Sequence, residues 1–252
     1  MQRYFITNEQ FNEQRLIITG DDAHHLANVM RAKPGDVIIV CDGSGREAQA
    51  ELEHVSRTEV AAIRMEARES EAEPNVRVTI AQALPKGDKL ETVIQKGTEV
   101  GAYSFVPFVS ERTIVQYDAK KESKRLERWG KIAKEAAEQS HRGRIPSVAS
   151  VIKWRELLKL AAEQDAAYFC YEKEAGLRLR SLLGKLRAER GEQVSIMLII
   201  GPEGGFTEKE VSEAEDAGCV PVSLGRRILR TETAALVGLS AILYEYGEIG
   251  GS

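Results

Sequence analysis

The spacing of apolar residues along the chain changes once, near Val76. Before that point, apolar residues alternate or come in short runs, at 3–6, 15–19, 37–41, 47–55 and 58–66. Turn-forming stretches separate them: Thr19-Gly20-Asp21-Asp22, Lys33-Pro34-Gly35-Asp36 and Asp42-Gly43-Ser44-Gly45. Short strands with regular turns predict a small β-barrel. One helix is expected over 22–31, with Leu26, Val29 and Met30 on one face. The acid-rich stretch 64–73, ending at Pro74, marks the exit to a second domain, which divides the chain into 1–72 and 73–252.

After Val76, strand-like runs alternate with helical spacing. The runs 76–83, 105–109, 166–171, 196–200 and 220–224 are apolar without strict alternation, as expected of strands covered on both faces. Between them, Asp88-Lys89-Leu90-Glu91 can cap a helix, and helices are predicted over 122–140, 154–164 and 177–189. Thr207 and Glu210 form a capping-box pattern, and Gly218 stops the helix it opens. The last helix, 231–246, is apolar almost all round, which predicts burial in the core or in a subunit interface. This alternation argues for an α/β domain with a mostly parallel sheet.

Composition narrows the class without choosing a function. The chain has 252 residues, 42% apolar and 29% charged, with a net charge of −4. No apolar run is long enough to cross a bilayer and the N-terminus has no signal-peptide pattern, so a cytoplasmic protein with no membrane contact is expected. Cys41, Cys170 and Cys219 are far apart, and no metal-ligand spacing links them to His24, His25, His54 or His141. Residues 1–72 carry eight Lys/Arg against thirteen Asp/Glu, whereas 120–144 carry nine against four. The second stretch is either a phosphate-contacting face or a solvated helix with i,i+4 pairs such as Glu127–Lys131.

The candidate chemistry sits in two strand-to-helix loops near the C-terminus, where ligands of open α/β sheets bind. The first, Gly201-Pro202-Glu203-Gly204-Gly205, is neither a P-loop nor a dinucleotide fingerprint, and its one ionisable group is acidic. It is either a tight turn or a wall of backbone groups for an uncharged or cationic ligand. The second crowds Arg226, Arg227 and Arg230 before Thr231, the expected cap of the last helix, where an RNA phosphate or local acids such as Glu203 and Glu232 would compensate the cations.

These two stretches, LIIGPEGGFTEKEV (198–211) and LGRRILRTETAALVGLSAILY (224–244), resemble the RsmE family of SPOUT-class RNA methyltransferases. The resemblance extends to ALPKGDK (83–89), to QKGTEVG (95–101) with Val100 where leucine is expected, to Trp129 with EAAEQSHR (135–142), and to HHLANVMR (24–31). It implies methylation of uridine N3 in 16S ribosomal RNA of the small subunit, with S-adenosylmethionine as cofactor, by a homodimer. It also implies a PUA-like N-terminal domain and a deep trefoil knot at about 196–246. By motif matching, Ile200, Gly201, Glu203, Gly204 and Gly205 would form one cofactor wall, and Leu224, Gly225, Ile228, Leu229, Thr231 and Ala234 the other. Arg230 and Glu232 are the catalytic candidates, as cation and as base or orienter, with His141 an outside candidate. Arg31, Lys33, Lys86, Arg142 and Arg144 are the expected RNA contacts. The competing readings are a relative acting on transfer RNA or a ribose oxygen, and a non-catalytic ribosome-assembly protein on the same fold.

Overall fold

A computed structural model describes residues 1–115, 119–171 and 179–251. Their contacts divide the chain into two compact units. The first is Met1–Glu73 together with Lys134–Ile145, and the second is Pro74–Ala133 with the chain from Pro146 onward.

The first unit is a five-stranded sheet in the order β1-β3-β4-β5-β2, with β1 Arg3–Phe5, β2 Arg15–Thr19, β3 Val37–Cys41, β4 Arg46–Val55 and β5 Glu59–Glu69. The β1–β3 pairing is parallel and the others antiparallel, with register shifts between β4 and β5 that bend the ribbon. Phe11, Leu16, Leu26, Val40, Leu52 and Val60 share its core. The helix predicted over 22–31 forms as α2 Gly20–His24 followed by a π-turn over His25–Val29, and a further short helix, α1 Asn8–Asn12, was missed by the pattern. In the wider turn the Met30 N–H reaches back to the His25 carbonyl, so residues three and four apart no longer share a face. Leu26 is buried while Val29 and Met30 are exposed. The missed α1 carries a signal that could have found it, the Thr7–Gln10 capping box.

The second unit is a parallel sheet in the order β12-β10-β11-β6-β7-β8. Its strands are β6 Arg77–Ala83, β7 Ser104–Val109, β8 Ser147–Val148, β9 Ile152–Lys153, β10 Ala166–Cys170, β11 Ser195–Ile200 and β12 Val220–Val222. The two-residue strands β8 and β9, both paired with β7, were too short to show as apolar runs. The central strands β6 and β11 are almost wholly buried, which accounts for their unbroken apolar sequence. Helices connect them: α3 Lys89–Val100, α4 Ala119–Gln139, α5 Trp154–Ala162, α6 Leu179–Arg190, α7 Glu208–Asp216 and α8 Thr231–Glu245. The first two residues of the helix predicted over 177–189 lie outside the described residues. Among the described residues, no helix is long and apolar enough to cross a membrane.

Two predicted caps differ from expectation. Asp88 stands at the start of α3 without a side-chain cap hydrogen bond, and Glu91 accepts from Arg125 Nη1 at 2.8 Å and Arg128 Nη2 at 2.6 Å instead. At α8 the capping position belongs to Arg230, and the Thr231 hydroxyl turns away to another loop. The Thr207–Glu210 box does form. Glu210, 3% exposed, also accepts the Glu111 N–H at 2.8 Å, tying the loop after β7 to the start of α7.

The α8 helix packs on α3, α6, β6 and β11. A Cβ on Gly238 would come within 2.6 Å of Leu198 Cδ2, so only glycine lets the helix lie this close to β11. Ala235, Leu239, Ile242 and Leu243 fill the inward face, whereas Val237 and Tyr244 remain exposed on the other. The all-apolar helix is therefore only half covered within one chain.

Candidate functional site

The carboxyl ends of β10, β11 and β12 open into a cleft of about 580 Å³, within the size range of small-molecule sites. The loop after β11 forms one wall, with Ile200, Gly201, Glu203, Gly204 and Gly205. The loop after β12 forms the other, with Leu224, Gly225, Ile228, Leu229, Thr231 and Ala234. Every cofactor position named from the sequence thus lines one cavity. Gly225 has φ +123, which an L side chain rarely adopts, and no atom lies within 4 Å of where its Cβ would stand, so its backbone faces open space.

The two walls are joined by direct hydrogen bonds. Thr231 Oγ1 donates to the Gly201 carbonyl at 2.8 Å and accepts from Gln82 Nε2 at 2.8 Å. Within the first wall, the Gly205 N–H closes onto the Pro202 carbonyl at 2.9 Å, and Arg112 Nη1 donates to the Gly204 carbonyl at 2.8 Å. Glu203 accepts from Lys89 Nζ at 2.7 Å and from the Lys86 N–H at 3.3 Å. Burial pushes its carboxyl up, but the Lys89 hydrogen bond and the backbone N–H groups outweigh that and hold it below the usual carboxylate range. Glu203 is therefore an anion at neutral pH, placed at the rim of the cleft.

Of the catalytic candidates, Arg230 lines the cleft and is exposed. Glu232 does not line it; its Oε2 is 3.9 Å from Lys89 Nζ and has no hydrogen-bond partner among the described residues. Cys170, Tyr171, Val222, Ser223, Phe206, Lys89 and Arg112 also line the cavity and were not singled out from the sequence. Cys170 and Tyr171 end a predicted strand beside β11, so the carboxyl-end rule pointed to them. Burial pushes the Cys170 thiol up to about 12, which favours its protonated form at neutral pH.

The expected RNA contacts scatter. Lys86 is exposed just beyond β6, and Arg31 and Lys33 are exposed in the first unit, Arg31 with φ 52. His141 is exposed with φ 60. Arg144 is half-buried and its Nη2 donates to the Ser44 carbonyl at 2.7 Å. Arg142 is 3% exposed, with Nη2 on Glu73 Oε2 at 2.7 Å and Nε on Oε1 at 3.3 Å. An arginine buried on a carboxylate holds structure together and presents nothing to a strand of RNA.

Comparison with known proteins places this cleft in a class. The family model described as an RNA methyltransferase domain matches residues 72–243, and one described as an RNA methyltransferase PUA domain matches residues 18–63. Fold and site together define an RNA methyltransferase. A ribosomal RNA small subunit methyltransferase E from Bacillus subtilis is 45% identical over 248 residues, covering 97% of both chains. One from Synechocystis is 37% identical over 95% of this chain and 76% of its own. The solved structure of such an enzyme from Neisseria gonorrhoeae, bound to S-adenosyl methionine, superposes with a TM-score of 0.85 at 32% identity over 97% of both chains. This chain belongs to the ribosomal RNA small subunit methyltransferase E family.

Proposed function

We propose that this protein uses S-adenosylmethionine to methylate 16S ribosomal RNA at N3 of a uridine. The observation that carries the reading is the single cleft formed by both motif loops, 200–205 and 224–234. The cleft fits the cofactor: backbone groups and apolar side chains face its interior, while the Glu203 carboxylate and several cations stand at its rim. When bound, S-adenosylmethionine supplies a sulfonium-activated methyl group, so the protein's part is alignment of the uracil and management of the N3 proton. Arg230 faces the charge that develops on the uracil as N3 loses its proton. Glu232, outside the lining of the cleft and 3.9 Å from Lys89 Nζ, serves as an orienter through Lys89 rather than as the base.

In this reading residues 1–72 form a PUA-like RNA-binding domain, and residues 73–252 form the catalytic domain with a trefoil knot at about 196–246. Membership of the family supports a C-terminal segment threaded through the earlier loop, an arrangement that would seat Thr231 on the Gly201 carbonyl. The exposed side chains of Val237 and Tyr244 support a homodimer built on α8. Membership of the family supports an enzyme of the cytoplasm working on small-subunit RNA.

Mass spectrometry of ribosomal RNA from a strain lacking this protein tests the reaction. The expected result is loss of 3-methyluridine at one 16S position, restored by the wild-type gene. Loss of a ribose methyl group or of a transfer-RNA modification instead would redirect the assignment. Among the RNA contacts, Arg31, Lys33 and Lys86 remain available. Replacing Arg31 and Lys33 by glutamine together is expected to flatten the salt dependence of RNA binding by about 1.4 in log–log slope, at about 0.7 per phosphate contact on single strands. Titrations across a salt series that return the wild-type slope would remove this pair from the RNA interface.

A further inference from the structure

Gln82 lies near the end of β6, 1% exposed and outside the wall of the cleft. Its Nε2 donates to Thr231 Oγ1 at 2.8 Å and to the Ala83 carbonyl at 3.0 Å. Thr231 donates its one hydroxyl proton to the Gly201 carbonyl at 2.8 Å, so towards Gln82 it can only accept. The amide must therefore present its NH₂ to Thr231. Its Oε1 is left buried with no partner among the described residues. A buried carbonyl without a donor carries a desolvation penalty that an apolar side chain of similar length would not. A polar side chain at such a position, in the otherwise apolar run Ile80 to Leu84, serves something other than stability.

We propose that Gln82 is a positioning residue for the cofactor. It fixes Thr231, Thr231 fixes Gly201, and the relay sets the spacing between the two walls of the cleft. The register agrees, since Gln82 pairs with Ile200, the residue immediately before Gly201. The inference rests on the S-adenosylmethionine reading above.

The test uses the full-length protein, with S-adenosylmethionine affinity measured by calorimetry and melting temperature measured alongside. Gln82→Met is expected to weaken S-adenosylmethionine binding about tenfold, or about 1.4 kcal/mol, at an unchanged or raised melting temperature. Thr231→Val is expected to weaken binding similarly. The double variant is expected to be no weaker than the worse single variant by more than about twofold, because both changes break one relay. Gln82→Glu, which cannot donate to Thr231 when ionised, provides an independent variant and is expected to weaken binding as well. Wild-type affinity in Gln82→Met or Gln82→Glu overturns the proposal, as does strict additivity in the double variant. Weakened binding that tracks a lowered melting temperature also overturns it, because the role is then structural. If the wild-type protein itself fails to bind, the cofactor reading falls and this inference falls with it, a result distinct from all of these.

Discussion

Arg230→Ala is expected to slow methyl transfer about a hundredfold or more, the usual cost of removing one group that stabilises charge in a transition state. Melting temperature and S-adenosylmethionine affinity should stay near wild type. Arg230 is exposed and occupies the capping position of α8 without a side-chain cap bond, so truncation removes no packing and no cap. What it removes is positive charge at the mouth of the cleft, next to the N-terminus of a fifteen-residue helix whose dipole has the same sign. Arg230→Lys keeps the charge but loses the planar fork, and should recover part of the rate. Single-turnover methylation of ribosomal RNA with saturating cofactor measures the step directly. Wild-type turnover in Arg230→Ala would take this side chain out of the reaction.

Glu73→Ala is expected to cost about 3–5 kcal/mol of stability, the range for stripping one partner from a buried ion pair. Four donors converge on this carboxylate: Arg142 through Nε and Nη2, and the backbone N–H groups of Gly143 and Arg144, both at 3.1 Å. The Arg142 guanidinium, 3% exposed, would lose the carboxylate that faces it through two hydrogen bonds. Urea unfolding followed by tryptophan fluorescence and by circular dichroism measures the loss. A midpoint within experimental error of wild type would mean that Arg142 finds solvent or another acid when Glu73 is gone.

Arg142 also shows what sequence reading could not reach. The excess of cations over 120–144 suggested a phosphate-contacting face or a helix with i,i+4 pairs. An i,i+4 pair does form, Lys134 with Glu138 at 3.5 Å, but several of these charges are also neutralised by acids distant along the chain: Arg125 and Arg128 by Glu91, Lys134 by Asp22, Arg142 by Glu73. No local spacing reports such partners. The central strands were legible because β6 and β11 are covered on both faces and so are written in unbroken apolar residues. The cleft was legible because glycine-bearing loops end β11 and β12. Thr231 was expected to cap α8, and a threonine ahead of an apolar run gives no sign that its hydroxyl will serve a loop thirty residues earlier. The π-turn at His25–Val29 was missed for a related reason, since one apolar pattern fits either helical width.

The Gln82–Thr231 hydrogen bond spans 149 residues of sequence, and the residue that completes it opens the last helix of the chain. Domains fold from the N-terminus during synthesis, and contacts of such long separation form late. The parallel sheet can assemble on the ribosome, but the second wall of the cleft is missing until Thr231 has left the exit tunnel. A nascent chain halted before that point would lack both the helix that covers β6 and β11 and the cofactor site. The cofactor cleft of this chain is therefore among the last parts of its fold to be completed.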